Sequence, residues 1–203
     1  METKLNNIIL TDVDDVLLSW VEGFKFFASH KLGRKITGLP DQWDVSKWLG
    51  LTDAKESGEL IHEFNTTAWE FGCLPETANS RDNLRTLKRL GANFIAITCC
   101  STNEVTVALR NANLYHMFGP IFERVHCLPL GSSKLEVLKQ YQNENVIAWV
   151  EDKYESAADG KSCGYETFMI RCSHNRKHEA EFTNDVNWVD SWDQITEKLA
   201  RKI

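Results

Sequence analysis

No run in the 203-residue chain approaches the roughly 18–20 uncharged apolar residues that a membrane-spanning helix needs, so no span is expected. The first seven residues lead into only a short apolar run, Ile8-Ile9-Leu10, before Thr11 and Asp12. That is too little for the core of a secretory leader, and the cytoplasm is the expected location. Positive charge is also in deficit, with 23 Lys+Arg against 29 Asp+Glu and a net charge of −6. An acidic chain is a poor electrostatic match for a polyanion, which argues against extended nucleic-acid contact. A small phosphorylated ligand is still compatible, because it needs only a local cation. The six cysteines show no CxxC spacing and read as reduced, buried thiols. A weaker zinc reading takes Cys172, His174 and His178, with Cys163 as a distant fourth ligand, but their spacing fits no standard zinc pattern.

The chain has no internal repeat, low-complexity stretch or linker. Short apolar runs alternate with helical patterns instead. Strands are expected over 7–13, 92–98, 124–128, 146–150 and 167–170, and their near-continuous apolar character is that of a parallel sheet buried on both faces. Helices are expected over 78–90, where Leu84, Leu87 and Leu90 share a face and Gly91 supplies a left-handed cap, and over 103–112, 133–141, 155–160 and 191–202. This alternation predicts an α/β fold, a doubly wound, Rossmann-like parallel sheet. Residues 17–75 break the rhythm. They carry helical patterns over 17–32, 53–64 and 66–72, no convincing strand, and Trp20, Trp43, Trp48 and Trp69. They read as a helical cap inserted after strand one, dividing the chain into a core of 1–16 and 76–203 and a cap of 17–75. Residues 171–187 read equally as a loop, an extra hairpin or a subunit contact.

Ligands in open α/β sheets bind outside the carboxyl ends of the strands, and four clusters fall there. Asp12 and Asp14 end strand one on the same side of the chain. Two crowded carboxylates repel and call for a cation, and oxygen ligands suit Mg²⁺. Thr98 puts a hydroxyl at the end of the second strand. Lys134 stands at a helix start, where the helix dipole disfavours a cation and a phosphate would compensate. Glu151 and Asp152 end the strand over 146–150, and Asp159 is a weaker acidic candidate beyond them. Each cluster alone has an ordinary structural explanation. Their order is the more specific signal.

An acid pair, a strand-end hydroxyl, a lysine and a second acid pair, in that order, resemble the four motifs of the haloacid dehalogenase superfamily of phosphohydrolases. The resemblance runs from strand one to about Ile170. It implies a magnesium-dependent phosphate-monoester hydrolase with Asp12 as nucleophile and Asp14 as general acid/base. Mg²⁺ would be held by Asp12, Asp152 and the Asp14 backbone carbonyl, and Thr98 and Lys134 would hold the phosphoryl oxygens. Glu151, read from its place beside Asp152, is a candidate for binding a metal-bound water. The chain departs from the family in carrying Asp15 where glycine usually follows the second aspartate. The run Asp12-Val13-Asp14-Asp15-Val16-Leu17 with Trp20 soon after, and Glu151-Asp152, are most similar to the 5′(3′)-deoxyribonucleotidase branch. This implies nucleoside monophosphates as substrates, with Trp20, Phe27, Trp43 and Trp48 as candidates for stacking on a base. Other small phosphate monoesters, a phosphotransferase, and a non-catalytic binding protein on the same fold are the alternatives. The oligomeric state is not legible.

Overall fold

The computed structural model describes residues 5–180 and 186–203. Six strands, β1 (Ile8–Thr11), β2 (Asn93–Thr98), β3 (Phe122–Cys127), β4 (Val146–Glu151), β5 (Thr167–Ile170) and β6 (Asn187–Val189), form one parallel sheet in the order β3-β2-β1-β4-β5-β6. The α/β doubly wound architecture predicted from the strand–helix alternation is the one observed. β6 is the strand the sequence did not reveal. It lies at the edge of the sheet, is three residues long, and carries too short a pattern to register. It begins at Asn187, the last residue of the segment 171–187, and runs beyond it to Val189. Earlier in that segment a 3₁₀ turn spans Arg176–His178, and 181–185 lie outside the described residues.

Alternate strand residues serve opposite faces of the sheet. Ile9, Phe94, Ala96, Ala148, Val150 and Phe168 join one hydrophobic cluster, whereas Ile8, Leu10, Ile95, Ile97 and Trp149 join another. Helices α4 (Ser80–Leu90), α5 (Glu104–Phe118) and α8 (Trp192–Leu199) cover the first face through Leu84, Leu87, Leu114, Phe118, Ile195 and Leu199. Helix α6 (Leu135–Lys139) covers the second through Leu138. Helix α7 (Tyr154–Ser162) packs against β4 and β5. Gly91 ends α4 at φ 109°, the left-handed cap its sequence suggests.

Between β1 and α4 lie α1 (Trp20–Lys31), α2 (Ser46–Leu49), α3 (Ala54–Thr67) and a 3₁₀ turn, Trp69–Cys73. This segment leaves and re-enters the sheet layer side by side. Leu18 bridges Glu76, Ser19 N donates to Pro75 O at 2.9 Å, and Thr77 N donates to Leu17 O at 2.8 Å. Its interior (Phe24, Phe27, Leu49, Phe64 and Phe71) is continuous with the hydrophobic cluster on the first sheet face. Polar side chains bind it to α5 and to the end of β2. The Asn113 side chain both donates to Leu74 O (2.9 Å) and accepts from Leu74 N (3.1 Å). Asn65 donates to Cys100 O (3.1 Å) and receives the Thr106 hydroxyl on its carbonyl (2.8 Å). No helix among the described residues is long and apolar enough to cross a membrane.

Candidate active site

The chain runs from β1 outward to β2 and β3, then crosses back to place β4 beside β1. The strand order therefore reverses between β1 and β4, and the crevice beyond their carboxyl ends is where such sheets bind ligands. A cavity of about 250 Å³ opens there. Asp12, Asp14, Asp15, Lys134, Glu151 and Asp152 line it, together with Cys99, Ser132 and His174. Its outer wall is supplied by the inserted segment and one loop, through Trp20, Trp43, Val45, Ile61 and Leu130.

At its base, Lys134 Nζ lies 2.7 Å from Asp12 Oδ1 and also pairs with Glu151 Oε1. Burial alone would lower the Lys134 ammonium, but Asp12 and Glu151 outweigh it and keep the lysine charged. Burial likewise pushes Glu151 up. Lys134 and the backbone N–H groups behind it outweigh burial and hold Glu151 below the usual carboxylate range. The other oxygen of Glu151 accepts from the backbone N–H groups of Asp152 (2.7 Å) and Lys153 (2.8 Å). Glu151 is thus fully committed to fixing Lys134 and the β4 turn. Asp12 and Asp152 are both held well above the ordinary range, by burial first and then by the neighbouring carboxylates, with Lys134 opposing.

Asp14 is held from two sides. Arg110 Nη2, on the fully buried face of α5, donates to Asp14 Oδ1, and the Thr98 hydroxyl faces Asp14 Oδ2 at 3.4 Å. The guanidinium rests on the Phe71 ring, 4.2 Å from its centroid. Thr98 itself has no exposed surface and does not line the cavity; its neighbour Cys99 does. Arg110 lies within the helix expected over 103–112, and nothing in its immediate sequence marks it as a site residue. A signal was present: Thr106, Arg110, Asn113 and Leu114 follow helical spacing, so polar groups sit on the stripe that faces the core.

Asp15 adopts φ 55°, the left-handed conformation for which glycine is the usual choice. The side chain it retains has a structural task. Its Oδ1 accepts from Val21 N at 3.0 Å, capping α1, whose own N-cap residue Ser19 makes no such bond. Burial, and next the Asp152 charge, push the Asp15 carboxyl up to about 8.

The aromatic candidates divide. Trp20 and Trp43 line the cavity; Trp20 is tethered by its indole N–H to Asn65 Oδ1 (3.0 Å) and stacks on Phe24. Phe27 and Trp48 do not line it. Phe27 is buried against Phe24 and Phe64, and Trp48 packs on the core with its indole N–H donating to Thr37 O. Asp159 is engaged elsewhere, receiving the Ser133 hydroxyl on its carboxylate at 2.8 Å. All six cysteines are free thiols. Of the zinc candidates, Cys172 and His174 approach each other, but beside Asp152. His178 is not in that cluster, and Cys163 packs on the opposite sheet face.

Oxygen atoms of Asp12, Glu151 and Asp152 lie within 4.8 Å of one another, all buried. With Glu151 bound to Lys134, Asp12 and Asp152 offer an oxygen-only donor set that fits a hard dication such as Mg²⁺. The set can support attack on an electrophile by the Asp12 carboxylate and proton movement at Asp14.

No protein-family model matches the chain. It is 28% identical over 151 residues to an uncharacterized 32.4 kDa protein of the Gp30–rIII intergenic region of Enterobacteria phage T4. That match takes in 71% of this chain and 53% of the other, so the chain spans about half the length of this relative. Among solved structures, a protein from Clostridium acetobutylicum described as a predicted phosphatase superposes with a TM-score of 0.68 at 15% identity, covering 97% of this chain and 99% of that one. A haloacid dehalogenase-like family hydrolase from Streptococcus pneumoniae gives 0.65 at 13% identity, covering 96% and 98%. A haloacid dehalogenase family hydrolase from Deinococcus radiodurans R1, with bound phosphate and sodium, gives 0.64 at 13% identity, covering 98% and 97%. The chain has the fold of the haloacid dehalogenase-like phosphatases and hydrolases.

Proposed function

We propose that the protein is a magnesium-dependent phosphate-monoester hydrolase that works through an aspartyl-phosphate on Asp12. The observation that carries this reading is the Asp12–Lys134–Glu151 cluster at the β1/β4 switch point, with Asp14 beside it and Asp152 completing an oxygen donor set. A carboxylate, a buried cation and a second acid on one wall of a cavity are what phosphoryl transfer needs.

In this scheme an Asp12 carboxylate oxygen attacks phosphorus, the P–O bond to the alcohol breaks, and Asp14 passes a proton to the leaving oxygen. Asp14 then takes a proton from water as that water attacks the phosphorus of the acyl phosphate, freeing phosphate and restoring Asp12. Lys134 neutralises charge on the transferring group. Arg110 and Thr98 hold the Asp14 carboxyl in one orientation through both steps. Asp12, Asp152 and the Asp14 carbonyl would hold Mg²⁺, which when bound supplies further positive charge to the phosphoryl oxygens.

A cavity of about 250 Å³ suits a small ester and not a polymer segment. We assign nucleoside monophosphates as the substrate class. Trp43, exposed at the rim, and Trp20 line the cavity and are the rings on which a base would stack. The deciding assay is phosphate release from a panel of small monoesters, including 5′- and 3′-nucleoside and deoxynucleoside monophosphates, with Mg²⁺ or EDTA. Release should require the metal and fall by roughly 10³-fold or more in Asp12→Asn with the fold intact. Equal turnover in that variant would remove Asp12 from the mechanism. Silence across the panel from folded, metal-loaded protein would favour a binding protein on this fold.

A further inference from the structure

The segment after β5 brings a second set of ligands to Asp152. His174 Nε2 lies 2.8 Å from Asp152 Oδ2, and an Asp152 oxygen, the Cys172 sulfur and a His174 ring nitrogen all lie within 4.8 Å of one another. The first and last of these residues are almost completely buried. The geometry points to a binding site for a soft or borderline dication, zinc above all, built from Asp152, Cys172 and His174 and sharing Asp152 with the hard-metal site proposed above.

The donor chemistry separates the two sites. Thiolate and imidazole select zinc-like ions over magnesium, whereas the Asp12 side of Asp152 presents oxygen alone. Ligand atoms at about 2.1 Å on two corners of a tetrahedron stand roughly 3.4 Å apart, so an ion would enter by opening the 2.8 Å His174 Nε2–Asp152 Oδ2 contact slightly, with the Cys172 sulfur, within 4.8 Å of both, closing on it as third ligand. The loop is already organised for it. Asn175 Nδ2 donates to both Asp152 O and Ile170 O, each at 2.8 Å, and Asn175 Oδ1 accepts from Cys172 N at 2.9 Å. One amide therefore fixes the two ligand-bearing stretches to each other. The Trp43 ring, 4.3 Å from the imidazole between centroids, holds the His174 plane. Support of this kind around a ligand set is what tunes metal affinity. Asp152 and His174 line the cavity, which leaves a fourth position for solvent. Binding releases the Cys172 proton to water. It also draws Asp152 away from the Asp12 side, so zinc should oppose magnesium.

Cobalt(II) is the probe, because a cobalt–thiolate bond gives a charge-transfer band in the near ultraviolet. Titrated into the full chain without magnesium, it should produce that band with a one-to-one endpoint. One equivalent of zinc should displace it, and saturating Mg²⁺ should weaken cobalt binding at least ~10-fold, as expected of a shared ligand. Cys172→Ser and Cys172→Ala should lose the band, and His174→Gln should weaken binding ~10-fold or more. Cys99→Ser, at the other cavity thiol, should keep it. Circular dichroism confirms the fold of each variant. A band that survives in both Cys172 variants, or none in the wild type, overturns the site. Affinity indifferent to magnesium overturns the shared ligand. Zinc inhibition of phosphate release, relieved in Cys172→Ser, rests on the hydrolase reading. The cobalt band does not, so failure of that reading and failure of this site are read separately.

Discussion

Arg110 carries a charge with no exposed surface, and its ion pair is to Asp14, a site carboxylate that keeps partial access to the cavity. A buried pair of this kind contributes little net stability, yet removing one partner strands the other at a cost of about 3–5 kcal/mol. Because Asp14 retains solvent on one side, the cost of Arg110→Met should fall at or below that range, read as a lowered Tm. The kinetic signature should be distinct. The kcat should drop while KM for the phosphate ester changes little, because Arg110 orients a group used in the chemical steps and touches no substrate. Arg110→Lys should recover part of kcat. At the cavity mouth, Trp43→Ala should raise KM for nucleotides severalfold and leave KM for a minimal aryl phosphate nearly unchanged. Equal effects on both esters would make Trp43 a packing residue only. Phe27→Ala serves as the contrast. Its ring is in the core, so it should cost about 3–5 kcal/mol of stability without discriminating between the esters.

The elements that hold the acids are β4 and α7, and they approach closely at one glycine. A Cβ added at Gly160 would lie 2.1 Å from Trp149 Cδ1. The indole N–H of Trp149 is already bound to Ser156 O at 2.9 Å, so the ring cannot simply retreat. Gly160→Ala should therefore overpack the interface by about 1–3 kcal/mol. The displacement is passed along β4 to Glu151 and Asp152, two and three residues beyond Trp149. A fall in both Tm and Mg²⁺ affinity is expected, measured by thermal unfolding and by the magnesium dependence of phosphate release. At this scale the sequence was legible wherever an element is buried and long. The strands over 93–98, 146–151 and 167–170 announce themselves because both their faces are covered and their apolar runs are continuous. Helix α5 runs six residues past the end expected at 112, since polar Asn113, just beyond that end, interrupts its apolar face for reasons that lie outside the helix.

Across the molecule, the inserted segment and the sheet layer share one hydrophobic cluster, and a few amides join them. Asn113 satisfies both backbone groups of Leu74 in a buried setting. Asn113→Ala leaves that N–H and C=O without partners, at about 1–3 kcal/mol for each group. The insertion should then separate more readily from α5. Faster amide exchange over 17–75 than over the sheet strands, with a raised KM, would report it. Uniform acceleration across both regions would mean that the two melt as one unit.

The doubly wound sheet is legible in the residues alone, because buried parallel strands and amphipathic helices leave periodic signatures that need no partner to be read. Acids and a lysine also fall at strand ends and helix starts, where chain order alone brings them toward one edge of the sheet. Which polar groups face one another is set by the packing of distant segments. Arg110 meets Asp14 across 96 residues, and His174 meets Asp152 across 22. Trp20 and Trp43 reach the cavity while Phe27 and Trp48 turn away from it. Such pairings are set by how helices and loops dock, and side chains brought together only by docking leave no mark in the local pattern of residues.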